Sequence, residues 1–281
     1  MKNQSRRDFF KLTGAAIAGS ALARNANAAL PVIPGQEKER PLKLGMASYT
    51  LREFDLDKTI AITKKVALDR IALKSFHLPL NASDDDILQV RQQVTDAGLE
   101  LYGGGVIYME NEKAVKNAFH YAQTAGMSVI IGVPEHDLLE LVEEHVKDTG
   151  IKLAIHNHGP GDERYPSPES AYTRVENLDP RMGLCIDIGH TKRLGQNPAK
   201  EFKRFQDRVF DIHLKDVDKA EKEGKTVELG RGVIDIPEFI RTVADSNYNG
   251  TMALEFEKDG KDPLPGIAES IGYACGVIDS L

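Results

Sequence analysis

The chain of 281 residues is 41% hydrophobic and 28% charged, and its 43 acidic against 36 basic side chains give a formal net charge of −7. That balance argues against nucleic acid or an anionic membrane as partner, because neutralising phosphates takes clusters of Lys and Arg, and the sequence has none. Its two cysteines, Cys185 and Cys275, could pair only if the fold brought them together, and they read as buried thiols.

The chain opens with Ser5-Arg-Arg-Asp-Phe-Phe-Lys11 and an apolar run from Leu12 to Ala23, the form of a twin-arginine export signal. The run is short of the roughly 18 to 20 apolar residues that a spanning helix needs. Ala26-Asn27-Ala28 has the small residues of a cleavage site, and no Cys lies nearby to carry a lipid anchor. Residues 1–28 are therefore expected to direct the protein through the twin-arginine export machinery to the periplasm, with no stable membrane anchor. Removing them takes away five basic groups (Lys2, Arg6, Arg7, Lys11, Arg24) and one acid (Asp8), leaving a net charge of −11. Residues 29–41, with three prolines, read as a linker.

From Leu42 onward short apolar runs recur about every 24 to 31 residues until the seventh, with amphipathic stretches between them. The expected strands are Leu42 to Tyr49, Arg70 to Ser75, Leu99 to Gly104, Ser128 to Val133, Lys152 to His156, Gly183 to Asp187, Val209 to His213 and Met252 to Glu255. The expected helices are Asp57 to Val66, Asp84 to Ala97, Glu112 to Ala125, Glu135 to Lys147, Pro168 to Val175, Ala199 to Gln206, Pro237 to Ala244 and Leu264 to Ile278. Ser83 stands where a helix should be capped, and Gly98, Gly126 and Gly150 stand where helices should end. Strand–helix–strand units are almost always right-handed, so eight in series close on themselves. The fold class is α/β, a single (β/α)8 TIM barrel over residues 42–281.

Four of these strands end in side chains that bind metals. His156 and His158 follow the fifth, Asp187 and His190 the sixth, His213 and Lys215 the seventh, and Glu255 and Glu257 the eighth. The two-residue period of a strand sets Asp211, His213 and Lys215 on one face, and His156 with His158. Imidazole and carboxylate together suit one divalent ion, Mn, Zn, Co, Fe or Mg. After the seventh strand a long connection from Asp216 to Ile236 holds the charged run Lys219 to Lys225. On the catalytic face it reads either as a lid or clamp, with Arg231 as a ligand for an anion or hydroxyl, or as a surface excursion.

These residues resemble the xylose-isomerase-like barrels described as sugar phosphate isomerases and epimerases, which include endonuclease IV. The matching pieces are Gly45-Met-Ala-Ser-Tyr49, His77-Leu-Pro79, Asp187-Ile-Gly-His190, His213-Leu-Lys-Asp216, Leu229-Gly-Arg-Gly-Val-Ile-Asp235 and Leu254-Glu-Phe-Glu257. The resemblance implies one divalent metal held by Asp187, His213 and Glu255, with His156 standing where relatives carry a glutamate. It also implies a carbohydrate substrate and an enediolate intermediate, formed when a C–H beside a carbonyl loses its proton. Relatives use the missing glutamate in two-face epimerisation, so His156 shifts the expectation toward a lyase or hydratase of keto-sugars or keto-glycosides. Ala72 replaces a second glutamate common in relatives. The implied roles are His158 and Glu257 as base and acid, with His190, Lys215, Lys74 and His77 touching substrate oxygens. Two other classes compete: a periplasmic metal-dependent sugar-binding protein without turnover, and a phosphodiesterase like endonuclease IV, which would want three metals and a basic face. The oligomeric state, including a homo-oligomer, stays open.

Overall fold

A computed structural model describes residues 42–281; the export signal and linker expected at 1–41 lie outside the described residues. Eight parallel strands close into a barrel: β1 (Lys43–Ala47), β2 (Arg70–Leu73), β3 (Glu100–Met109), β4 (Val129–Pro134), β5 (Lys152–His156), β6 (Met182–Asp187), β7 (Val209–Leu214) and, after a small hairpin, β10 (Thr251–Leu254). β10 pairs with both β7 and β1, completing the ring. All eight expected strands are present, and β3 is the one that differs most. It runs on through Gly103, Gly104 and Gly105 to Met109, because neighbouring β4 supplies the pairing that a glycine run lacks on its own.

The crossover helices are α1 (Leu56–Lys65), α2 (Asp84–Asp96), α3 (Glu112–Ala125), α4 (Leu139–Thr149), α5 (Pro168–Val175), α6 (Ile188–Arg193), α7 (Pro198–Phe205), α8 (Ile236–Ala244) and α9 (Leu264–Asp279). All but α4 and α9 start on a side-chain cap. Ser83 accepts from the Asp86 N–H, and Ser167 forms a reciprocal capping box with Ser170. Gly126 and Gly150 end α3 and α4 at φ of 70° and 75°, a left-handed turn that a side chain would strain. The helix expected from Glu135 begins instead with a 3-10 turn at His136–Leu138, and the regular helix starts at Leu139. The sixth-strand connection holds a helix not expected, α6, started by the Asp187 side chain, which accepts from the His190 N–H at 2.7 Å.

A large apolar core fills the space between helices and barrel, built from residues such as Ile71, Phe119, Leu153, Ile186, Phe202, Phe239 and Ile267. A second, smaller one gathers Ala47, Ala72, Tyr102, Val129, Ile131, Ala154, Cys185 and Ala253 from strands around the ring. Strand parity sets Ala154 with His156, Cys185 with Asp187 and Ala253 with Glu255, so this cluster is the barrel interior and forms the floor of the site. Cys185 is buried there and Cys275 is half-buried in α9, and both remain thiols. No helix among the described residues is long and apolar enough to cross a membrane.

The long connection after β7 is neither wholly a lid nor a simple excursion. Asp216–Val217 (β8) and Thr226–Val227 (β9) pair as an antiparallel hairpin. Asp216 organises the remainder: its carboxylate accepts the backbone N–H groups of Val217, Gly230, Gly232 and Ile234 at 2.9 to 3.2 Å.

Candidate metal centre

Four strand ends bring His156, Asp187, His213 and Glu255 together, each buried, with one donor atom from each lying within 4.8 Å of all the others. His156 Nε2 stands 3.1 Å from His213 Nδ1 and 3.6 Å from Asp187 Oδ2, and His213 Nδ1 is 3.3 Å from Glu255 Oε2. Two imidazole nitrogens and two carboxylate oxygens converging on one point are a donor set that fits a divalent ion of the Mn to Zn series. Burial pushes His156 down to about 4, so at neutral pH it presents a lone pair. Cys185 forms an overlapping triad with the same two histidines. Burial and the nearby Asp211 raise its thiol far above the ordinary range, so the carboxylate set is the better one for a hard cation.

Further groups surround the ligands, although the outer ring nitrogens of His156 (Nδ1) and His213 (Nε2) are buried with no hydrogen-bond partner among the described residues. Behind His213, Asp211 Oδ2 lies 3.6 Å from Nε2, while Nδ1 faces the cluster; burial disfavours the charged ring, but Glu255 and Asp211 outweigh it and raise its pKa. Asp211 is itself fully buried, and burial pushes it up to about 7. Strand parity, which sets Asp211 beside His213, was the signal for this role. Asn157 pins the next pair of strands by accepting from the Asp187 N–H at 3.1 Å while its amide faces Thr191 Oγ1 at 3.3 Å.

Lys215 lies at the centre of the charges. Its Nζ is 3.0 Å from Asp187 Oδ2 and 2.7 Å from Glu255 Oε2, and it also donates to Glu257. Burial disfavours the ammonium, but Asp187 and Glu255 outweigh it, and Lys215 titrates well above its ordinary range. The same pairing, against the cost of burial, holds Asp187 and Glu255 well below the usual carboxylate range. Lys215 is thus a charge partner of the ligands, in place of the substrate contact expected from sequence.

Above the cluster opens a cavity of about 250 Å³ whose walls include Tyr49, Lys74, Tyr108, His158, His190 and Glu257. His158 Nε2 meets the Tyr108 hydroxyl at 3.1 Å, and its Nδ1 points to Asp162 Oδ2 at 3.9 Å. Burial lowers the pKa of His158 and takes that of His190 to about 3, so both are neutral near pH 7. Lys74 donates to the Val106 carbonyl and lies under the Tyr108 ring, its own pKa lowered by burial. Tyr49 and Tyr108 were missed as site residues from sequence: Tyr49 ends the family-like stretch that begins at Gly45, which was the available signal, while nothing sets Tyr108 apart from core aromatics.

Two expected substrate contacts are placed elsewhere. His77 has both ring nitrogens committed inside the protein, Nδ1 to Ser48 Oγ at 2.9 Å and Nε2 to Thr59 Oγ1 and the Phe54 carbonyl at 3.0 Å each. It ties the β1 and β2 loops to α1 and lines no wall of the cavity. Arg231 is 62% exposed and pairs in bidentate fashion with Glu269 of α9, at 2.5 and 2.8 Å, which turns it away from the site.

Known proteins with this architecture support the same frame. A solved structure of an uncharacterised protein from Parabacteroides distasonis ATCC 8503 superposes with a TM-score of 0.66 at 25% identity, covering 83% of this chain and 98% of that one. The IOLI protein with a bound zinc atom superposes with a TM-score of 0.70 at 17% identity, covering 85% and 99%. In sequence, the inosose dehydratase of Lacticaseibacillus casei is 28% identical over 153 residues, 48% of this chain and 49% of the relative. The chain therefore spans about half the length of the curated relatives it matches. The family model for the xylose isomerase-like TIM barrel matches residues 63–275, most of the described barrel, and the chain belongs to that family.

Proposed function

We propose that this chain is a divalent-metal-dependent enzyme acting on a polyhydroxylated ketone, a keto-sugar or an inosose-like ring, as a lyase or hydratase. The observation that carries the reading is the convergence of His156, Asp187, His213 and Glu255 beneath a pocket walled by the neutral histidines His158 and His190. His156, Asp187, His213 and Glu255 would hold the ion, which when bound supplies Lewis acidity toward a carbonyl and its neighbouring hydroxyl. The dehydratase named among the sequence relatives and the zinc described for one structural neighbour support the substrate class and the metal.

The chain's own side chains supply the proton chemistry. His158 is neutral, with Asp162 on the Nδ1 side, and its Nε2 is the base suited to take a proton from the carbon beside the carbonyl. Glu257 also lines the pocket, where Lys215 holds it by a hydrogen bond. His190 and Lys74, in the same lining, offer donors to substrate oxygens. An imidazole at position 156, in place of a carboxylate, leaves no second carboxylate base on that strand, which favours elimination or hydration over epimerisation.

Metal analysis of the purified protein, followed by deuterium incorporation into a panel of inososes, keto-sugars and keto-glycosides, tests the reading. The expected result is one divalent ion per chain, exchange at the carbon beside the ketone, and an unsaturated or hydrated product. A fully metal-loaded protein that exchanges no member of the panel and forms no product would overturn the enzymatic reading in favour of a metal-dependent binding protein.

A further inference from the structure

The run of β3 past its glycines carries Tyr108 into the wall of the metal-proximal pocket, where it is 41% exposed. Its ring lies beside that of His158, the centroids 5.8 Å apart at 29°. Lys74 Nζ and Arg164 Cζ stand 5.7 and 6.0 Å from the tyrosine centroid, and cations so placed help to hold an aromatic ring in position. From there the Tyr108 hydroxyl meets His158 Nε2 at 3.1 Å.

The far side of the imidazole is closed. His158 Nδ1 is buried, with Asp162 Oδ2 3.9 Å away. Asp162 is fixed through its other oxygen, which accepts the backbone N–H groups of Arg164 and Tyr165 at 2.9 and 2.6 Å. The backbone N–H of His158 in turn donates to the Tyr165 carbonyl at 3.0 Å. Nε2 is therefore the nitrogen on the pocket side, and its single lone pair is met by the phenol. Burial and the nearby Asp162 raise the pKa of Tyr108, so at neutral pH the phenol keeps its proton and donates it. While that hydrogen bond stands, a proton leaving the substrate has no free lone pair on His158 to reach directly.

We infer that Tyr108 is a catalytic residue of the proposed elimination: its hydroxyl oxygen faces the substrate and passes the proton to and from His158 behind it. This rests on the enzymatic reading above and deepens it. In the first half, the C–H bond beside the carbonyl breaks and its electron pair moves toward the carbonyl oxygen. The proton bonds to the Tyr108 oxygen as the proton which that oxygen held moves to His158 Nε2. Both transfers occur together, so no free phenolate forms, and Asp162 faces the resulting imidazolium. In the second half the electron pair returns and the C–O bond at the next carbon breaks with its electrons. Tyr108 gives its proton to the departing oxygen, and His158 returns a proton to Tyr108. The substrate has then lost one water, and both side chains are restored.

Tyr108→Phe removes the hydroxyl and keeps the ring. The probes are an inosose and glucose oxidised to a ketone at its third carbon, each tritiated beside the carbonyl. Tritium release by the metal-loaded protein reads C–H cleavage in ordinary and in heavy water, and formation of the unsaturated product gives kcat and KM. A relay moves a solvent-exchangeable proton in the step that breaks the C–H bond, so wild type should release tritium more slowly in heavy water; direct capture by His158 moves none. Tyr108→Phe is expected to keep its metal and its KM, to lower kcat by roughly 100-fold or more, and to lose the solvent isotope effect on the residual rate. Wild-type rates in the variant would make the hydroxyl a mere cover over His158, and a slow variant with no solvent isotope effect in wild type would make Tyr108 a positioning residue. Either result overturns the relay alone. Tritium that stays in both probes with the wild-type protein brings down the enzymatic reading itself, and the relay with it.

Discussion

His156 and His158 separate two jobs on one strand end, and substitution should separate them too. Asp187→Ala, His213→Ala and Glu255→Ala are each expected to abolish stoichiometric metal while the circular dichroism spectrum persists, because the barrel is held by other layers. His156→Ala should weaken metal binding. His158→Ala should retain metal by elemental analysis and lower turnover by roughly 100-fold or more, as for a lost general base. Full metal content in any of the first three would remove that residue from the ligand set. Asp211→Asn should weaken metal binding about 10- to 100-fold, the usual cost of losing the partner that orients a histidine ligand. The buried histidines also set an acid limit. His156 sits at about 4 and His190 at about 3, both below the unfolded value of about 6.5, so the unfolded chain binds more protons between those limits. Folding stability of the metal-free protein is therefore present above about pH 6.5 and lost as pH falls toward 4, at up to about 1.4 kcal/mol per pH unit for each histidine. Denaturant melts of wild type and His156→Gln across that range read the slope, which the variant should flatten.

At the scale of an element, the connection after β7 depends on one carboxylate. Asp216 gathers four backbone N–H groups, so the segment from Gly230 to Ile234 folds back around a single side chain. Asp216→Asn turns an amide donor toward those donors, and a loss of about 1–3 kcal/mol in unfolding free energy is expected. An unchanged melt would show that the connection is held by the hairpin alone. The same element explains why Arg231 missed its expected role: the chain reverses at Gly230, where φ is 85°, and hands Arg231 to Glu269 on α9.

At the scale of the whole molecule, the family and the barrel account for residues 42–281, and the segment before them carries a separate proposal about destination. The pair Arg6 and Arg7 is what a twin-arginine receptor would read, so changing both to Lys should leave unprocessed precursor in the cytoplasm. Processed protein in the periplasm of that double variant would remove the export proposal.

The sequence by itself determined the order of strands and helices, because each strand is an apolar run and each crossover an amphipathic one, and these patterns depend on neighbours within a few residues. It also determined which strand ends carry donors, since alternation along β5 and β7 places His156 and His213 without reference to the rest of the chain. The α6 turn was hidden because Ile188 to Arg193 is too short to show a period, and it forms only once the Asp187 carboxylate caps it. Only the tertiary structure decided where the polar side chains spend their hydrogen bonds. His77, Arg231 and Lys215 all lie beside family-like motifs. Their roles depend on partners far along the chain, Thr59 18 residues away, Glu269 38 and Glu255 40, and no local pattern records contacts at that separation.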